Sequence, residues 1–416
     1  MNPLHSSALA PAVAFTAALA ALAALPSMPA AAQSNLSIYG AIDSGVLSIS
    51  NTSSGTGYLP KAANPNGHTL KQKDGGIGGS NFGFRGTEDL GGGIKAQIHL
   101  QGNMSTESGA VGGPNSSSTT SFFNQFATVG LAGTWGSVKL GRQVSPLYYT
   151  MAATDARGGR YFGSSLTGLV GLNSASGAFI GNNSNPAFGT IYNDNAVAYT
   201  SPVWNHLTFN ALYAFGETGH GAKANSQQVA TVVYDANGLK LSGLVYNGYG
   251  NNLPAATAAY TVATGSAAAG AAAAGKAGFS PTANTNRLYS AGALYQWDGY
   301  TVSASYFAAR NPAKAILPGG SYSLDMWTLG AGWKISPTVA MSAGYYHIKD
   351  NTNAGHRSSQ LVLGLDYLLS RRSTLYVEGA HTSNRGSNMN LSPVYATAVA
   401  ADRNVTAVML GLRHTF

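Results

Sequence analysis

The chain has 416 residues, enough for one large domain, yet only 9% of them are charged, against about 25% in an average soluble domain. With 53 Gly, 22 Tyr and 44% hydrophobic residues, its polarity comes from Gly, Ser, Thr, Asn and Tyr rather than from Lys and Glu, which suits strands with one apolar and one wet, mostly uncharged face. The net charge of +8 comes without any Lys/Arg run or basic helix, so nucleic acid is excluded as a partner, and the absence of Cys excludes a disulfide framework and a thiolate metal site.

At the N-terminus an apolar stretch over 9–25, bracketed by Pro11 and Pro26, precedes the small-residue site Ala30-Ala31-Ala32. It reads as a secretory signal peptide over 1–32, leaving one domain over 33–416. The segment before it departs from the usual pattern, with His5 but no Lys or Arg. Beyond residue 33 no window of about 20 apolar residues occurs. The Ala-rich stretch 255–277, interrupted by Gly, Thr, Tyr260 and Lys276, reads as a low-complexity loop.

From there on the dominant signal has period two. Ile94, Ala96, Ile98 and Leu100 alternate with Lys95, Gln97, His99 and Gln101. Trp327, Leu329, Ala331 and Trp333 alternate with Thr328, Gly330 and Gly332, and Leu361, Leu363, Leu365 and Tyr367 with Gln360, Val362, Gly364 and Asp366. Short links near 89–93, 133–136, 202–206, 235–238, 298–299, 334–337 and 369–373 alternate with long ones near 50–76, 105–121, 145–192, 216–226, 249–286, 309–321, 350–357 and 383–403. A β-sandwich has no reason to alternate so regularly, whereas outer-membrane barrels have short periplasmic turns and long external loops. The links predict an all-β, transmembrane antiparallel barrel of about 16 strands, with both termini periplasmic. Unpaired backbone is intolerable in lipid, so the first strand, near 36–48, must close against the last, near 403–416. Trp297, Trp327, Trp333 and Tyr367 supply interfacial girdle residues, and Phe416 ends the last strand on an aromatic.

Particular segments then resemble the general-diffusion porins of Gram-negative bacteria, in their β-proteobacterial branch. LSIYGAID from Leu36 to Asp43 is similar to that branch's first strand, and SNFGFRGTEDLGGGIKA from Ser80 to Ala96 to its second hairpin. TVGL from Thr128 and GSVKLGRQ from Gly136 to Gln143 resemble the strands that lead to its third loop; 195–202 with 213–217, and GLRHTF at 411–416, resemble its next hairpin and its end. The resemblance implies a homotrimer in the cell outer membrane, among outer-membrane lipid and lipopolysaccharide, that passes small hydrophilic solutes and ions by passive diffusion and has no cofactor. It also implies a third loop, here 145–192, folded into the lumen to narrow the pore.

In that family arginines on the barrel wall face carboxylates on the third loop, and the transverse field orders water and favours polar solutes. Here the three arginine positions fall on Asn81, Gln125 and Tyr192, and the loop holds one acid, Asp155, beside Arg157 and Arg160. With Phe82 and Phe84 outward, parity turns Asn81 and Arg85 inward, and Lys95, Lys139, Arg142, Lys240 and Arg413 with the acids Asp43, Asp366 and Glu378 are expected on the wet face. The expectation is a weakly charged constriction with a modest anion preference. No catalytic or metal-binding spacing occurs, so no enzyme is expected, and His99 and His347 read as solvated wall. Two alternatives stand beside the diffusion pore: a substrate-selective channel using Tyr148, Tyr149, Tyr161 and Phe162 as a stacking patch, and a surface adhesin acting through the external loops.

Overall fold

The computed structural model describes residues 35–53, 67–111, 121–176 and 191–416, apart from 218, 220, 251–260, 262–264, 277, 279, 317 and 318. The expected signal peptide lies outside them. Among the described residues seventeen strands form one closed antiparallel sheet. In chain order these are β1 (Asn35–Ile49), β2 (Thr69–Asp74), β3 (Asn81–Gly91), β4 (Ile94–Asn103), β5 (Phe126–Gly133), β6 (Gly136–Val144), β7 (Tyr192–Thr200), β8 (Leu207–Ala214) and β9 (Gln227–Ala236). They continue as β10 (Leu239–Tyr249), β11 (Asn284–Trp297), β12 (Tyr300–Arg310), β13 (Ser323–Lys334), β14 (Val339–Asp350), β15 (Arg357–Leu368), β16 (Ser373–Arg385) and β17 (Asn404–Thr415). β2 and β3 are two halves of one stave. Both pair with β1, from Ile49↔Thr69 to Ser44↔Asp74 and again from Ala41↔Asn81 to Asn35↔Thr87. The barrel therefore has sixteen staves.

The seam joins β1 to β17 from Ala41↔Thr415 to Ile49↔Ala407. Beyond the strand, Gly40 and Phe416 exchange both backbone hydrogen bonds, at 3.2 and 3.0 Å. Gly40 has to be glycine: a Cβ there would sit 2.5 Å from the Phe416 ring.

The alternation in the sequence appears as an alternation of faces. Leu361, Leu363 and Leu365 are exposed on the outside, whereas Gln360 and Val362 are fully buried within; Trp327 and Leu329 face out while Met326 and Thr328 face in. The stave formed by β2 and β3 extends further than the sequence suggests, because Thr69–Asp74 lies in the stretch read as a long link. Residues 75–80 leave the wall between the two halves, and their glycine-rich composition is what reads as a turn.

The stretch 145–192 also holds more order than a Gly- and Asn-rich loop implies. Its described residues contain two helices, α1 (Pro146–Ala153) and α2 (Ser165–Ser176). Ser145 caps α1 by accepting from the Leu147 N–H at 3.3 Å, and Pro146 occupies the first turn, where a missing N–H costs nothing. Every residue of α2 is buried. Leu147, Met151, Leu166, Leu169 and Leu172 pack on Leu212, Leu244, Tyr246, Leu288, Phe307, Met326 and Ile348 from the inner faces of β8 and β10–β14. The barrel thus has a hydrophobic core inside its lumen, each buried leucine contributing roughly 1.5–3 kcal/mol. Gly168 and Gly171, poor helix formers, allow the approach: a Cβ at Gly171 would meet Leu391 and Ile348 at 2.8 and 2.9 Å. A third helix, α3 (Ala267–Lys276), stands in the Ala-rich stretch read as featureless loop, as the high helix propensity of alanine allows.

Candidate functional site: the lumen and its third loop

Two sets of charges tie the third loop down. Arg157, 2% exposed, donates from Nη2 to Glu378 Oε2 at 2.6 Å and to the Phe162 carbonyl at 2.8 Å, from Nη1 to Ser342 Oγ at 2.7 Å, and from Nε to the Gly163 carbonyl. Arg160 pairs with both oxygens of Asp366 and, at 2.9 Å, with Glu378 Oε1. These bonds reach from the loop to β15 and β16. Asp155 faces the other way. It accepts from the Arg157 N–H at 2.9 Å, from the N–H and hydroxyl of Ser165 at 2.8 and 2.7 Å, and from Tyr346 Oη at 3.2 Å. It therefore sits where the first turn of α2 presents free N–H groups and the positive end of its dipole.

A second carboxylate holds the break in the β2–β3 stave. Asp43 is fully buried and accepts from the N–H groups of Gly76, Ile77 and Gly78 at 3.2, 3.0 and 2.9 Å, from Tyr376 Oη at 2.7 Å and from Arg413 at 3.3 Å. The excursion so fixed meets the third loop, with the Phe162 N–H donating to the Gly76 carbonyl at 2.9 Å. The external link 386–403 meets it from the other side: Gly163 N–H donates to Pro393 O at 2.7 Å and Tyr395 N–H to Tyr161 O at 2.8 Å.

An open cavity lies against the opposite wall. A cavity of about 400 Å³ runs along the inner faces of β3–β8, lined by Arg85, Gln97, His99, Thr128, Lys139 and, from α1, Tyr149 among others. Among the described residues no carboxylate lines it. Arg85 lies 4.1 Å over the Tyr39 ring, whose hydroxyl bonds to His99 and Gln101, and His99 stacks on Phe126 at 4.0 Å. Lys95 stands directly across from Asp89 on the neighbouring strand, outside this cavity.

The structure thus separates residues that the sequence grouped together. Of the residues expected at a charged constriction, Arg157 and Arg160 are paired with Glu378 and Asp366 on the wall, and Asp155 is held by Ser165, Tyr346 and the Arg157 backbone N–H. Arg142 does not line the cavity; it pairs with Asp194, donates to the Asn124 carbonyl at 2.6 Å and lies over Tyr192. The three uncharged positions serve as struts: Asn81 donates to the Gly79 carbonyl at 2.9 Å, buried Gln125 bonds to Gln101, and Tyr192 is buried beneath Arg142. His347 faces outward, beside Tyr345 and Trp327, instead of lining the lumen. The stacking patch is dispersed. Phe162 is fully buried, Tyr161 packs on Tyr395, Tyr148 donates to the Gly159 carbonyl, and Tyr149 alone of the four is exposed. Sequence reasoning passed over Gln97 and Thr128 as lining residues, although they share the parity of Arg85 and Lys139.

A sixteen-stave barrel narrowed from within by its third loop invites comparison with known channels. The Gram-negative porin family matches residues 17–387. The chain belongs to that family. This porin is 26% identical to outer membrane porin protein 32 of Delftia acidovorans, over 93% of its own length and 95% of the relative's. It is also 26% identical to an outer-membrane porin of Bordetella pertussis, covering 93% and 96%. Among solved structures, the anion-selective porin from Comamonas acidovorans superposes with a TM-score of 0.68 at 20% identity, over 92% of this chain and all of that one. OmpT of Vibrio cholerae, solved in a trimer form, superposes with a TM-score of 0.57 at 13% identity over 92% and 99%. The porin is an outer-membrane protein, and its relatives are channels.

Proposed function

We propose that this porin passes small hydrophilic solutes by passive diffusion along the β3–β8 wall, with a preference for anions set by Arg85 and Lys139. The observation that carries the reading is the charge of the open passage, where two cations face the cavity and no carboxylate does. In a narrow channel with low-dielectric walls such an excess of one sign concentrates counter-ions. The Comamonas acidovorans relative, described as anion-selective, is consistent with it. The test is the reversal potential in a planar bilayer under a salt gradient. The unmodified protein should reverse on the anion side, and Arg85→Gln with Lys139→Gln should move the reversal potential to or past zero. An unchanged reversal potential would remove the assignment.

The same reading includes three barrels assembled side by side. Outward Tyr and Trp residues concentrate on β11–β15, where Tyr289, Trp297, Tyr306, Trp327, Trp333 and Tyr367 are exposed. The outer face of β17, β1 and β4 carries aliphatic residues such as Leu410, Ile38 and Ile98, and at the β1–β2 junction a polar pair, Gln72 donating to Ser44 at 2.9 Å. Polar groups are costly against lipid, so this arc suits a neighbouring subunit. Voltage-induced closure in three equal steps is expected; closure in one step would count against a trimer.

A further inference from the structure

The cavity along β3–β8 carries more than charge. Register sets its inward side chains on successive rows of the sheet. Phe126 stands opposite Gln101. Two residues along, Arg85, His99 and Thr128 align across β3, β4 and β5; two further, Gln97, Gly130 and Lys139 align across β4, β5 and β6. Each step along the strands is about 7 Å, so Phe126, Arg85 and Lys139 occupy three consecutive rows. Between the side chains of β4 and β6, β5 offers only Thr128 and Gly130 on the two lower rows, and the wall is recessed there.

Two rings open onto the recess. Phe126 is half-buried, stacked on His99 at 4.0 Å with 19° between the ring planes, and its remaining surface lines the cavity. Tyr149 reaches in from α1 and is exposed. Apolar ring surface left against water is unfavourable, and a flat apolar solute that covers it recovers that free energy. Beside the rings stand Arg85 and Lys139, with no carboxylate within ion-pairing distance among the described residues. The Arg85 guanidinium is seated over the Tyr39 ring at 4.1 Å, and a guanidinium binds a carboxylate in bidentate fashion.

We propose that the recess is a binding site for small aromatic carboxylates, solutes of one ring and one carboxylate group. This deepens the anion preference argued above and rests on it. The carboxylate pairs with Arg85, Lys139 adds charge from the next row, and the ring lies against Phe126 and Tyr149. One row step, about 7 Å, is the span of such a solute, and a cavity of about 400 Å³ is of the size that holds one small molecule. Transport stays passive: a weak site in a pore draws the solute in without retaining it.

Benzoate, cyclohexanecarboxylate and benzyl alcohol are added in turn to single channels of the refolded protein in a planar bilayer, and the affinity of each is read from the concentration dependence of its current block. The two carboxylates share charge and size and differ in the π face. Benzoate should bind roughly two- to tenfold more tightly than cyclohexanecarboxylate, the worth of an aromatic contact beyond its buried area, and uncharged benzyl alcohol should bind most weakly. Phe126→Leu should bring the two carboxylates to nearly the same affinity, and Arg85→Gln should weaken both. If Phe126→Leu yields no channels, Tyr149→Leu should narrow the difference between them. Equal affinity of the unmodified protein for benzoate and cyclohexanecarboxylate, with a reversal potential still on the anion side in potassium chloride, overturns this inference and leaves the anion channel standing. Reversal on the cation side removes the anion reading and this one with it. Block by benzyl alcohol as tight as by benzoate, or a benzoate preference undiminished in both ring variants, also overturns the proposal.

Discussion

Inside the barrel, two stretches of wall built from the same alternating strands are put to opposite uses. From β8 to β14 the inward residues include Leu212, Leu244, Tyr246, Leu288, Phe307, Met326 and Ile348, covered by α1 and α2. From β3 to β7 they include Arg85, Gln97, His99, Thr128 and Lys139, facing the open cavity. An apolar inner wall attracts the loop by the hydrophobic effect, and a polar inner wall keeps it away because its groups are better satisfied by water. The pore is thus placed off-centre by side-chain polarity alone. The charges follow a similar division: the loop arginines Arg157 and Arg160 are matched by Glu378 and Asp366, and the cations lining the cavity, Arg85 and Lys139, face no carboxylate there among the described residues.

Three substitutions probe that division, in decreasing order of effect. Arg157→Ala should be the most disruptive, because it leaves buried Glu378 with Arg160 as its remaining basic partner. Removing one member of a buried pair costs about 3–5 kcal/mol. Thermal melting of the refolded barrel should show the loss, and the channel should become noisier as the loop leaves the wall. Unaltered stability and quiet conductance would show that the hydrophobic contacts alone hold the loop. Gly171→Val should act on the packed side with no change of charge. Its side chain would overlap Leu391 and Ile348, and overpacking of this kind costs about 1–3 kcal/mol. A melt within error of the unmodified protein would mean that α2 has room to shift. Tyr149→Ala should have the smallest effect on stability, since Tyr149 is 55% exposed in the lumen. It should widen the passage and raise the conductance modestly while the melt stays unchanged; a fall in conductance would place the narrowing elsewhere.

Most of the staves were legible in the sequence from their period of two and the alternation of short and long links, the exception being Thr69–Asp74, and the inner-face parity of Arg85 and Lys139 was legible too. Two kinds of feature were not. The first is local order that depends on distant partners. The α2 segment, SLTGLVGLNSAS, has two glycines and no charge, and it is helical because the wall beneath it is apolar and close. The second is charge pairing across the fold. Arg157 and Glu378 are 221 positions apart, and parity can assign each to the lumen without showing that they meet. Parity alone places Arg85 and Lys139 on the inner face, because neither is drawn into an ion pair across the fold.

The helices that line the packed wall also constrain how the molecule is made. α1 and α2 lie inside the barrel against β8 to β14, and the β1–β17 seam joins Ala41 to Thr415. Contacts of such long separation carry the largest loop-closure cost and form late. A loop packed so tightly cannot be threaded into a finished cylinder. The sheet has to wrap around its own filling, and the seam shuts on a lumen already occupied, so a variant that weakens the filling is expected to lower the yield of assembled barrel as well as its stability.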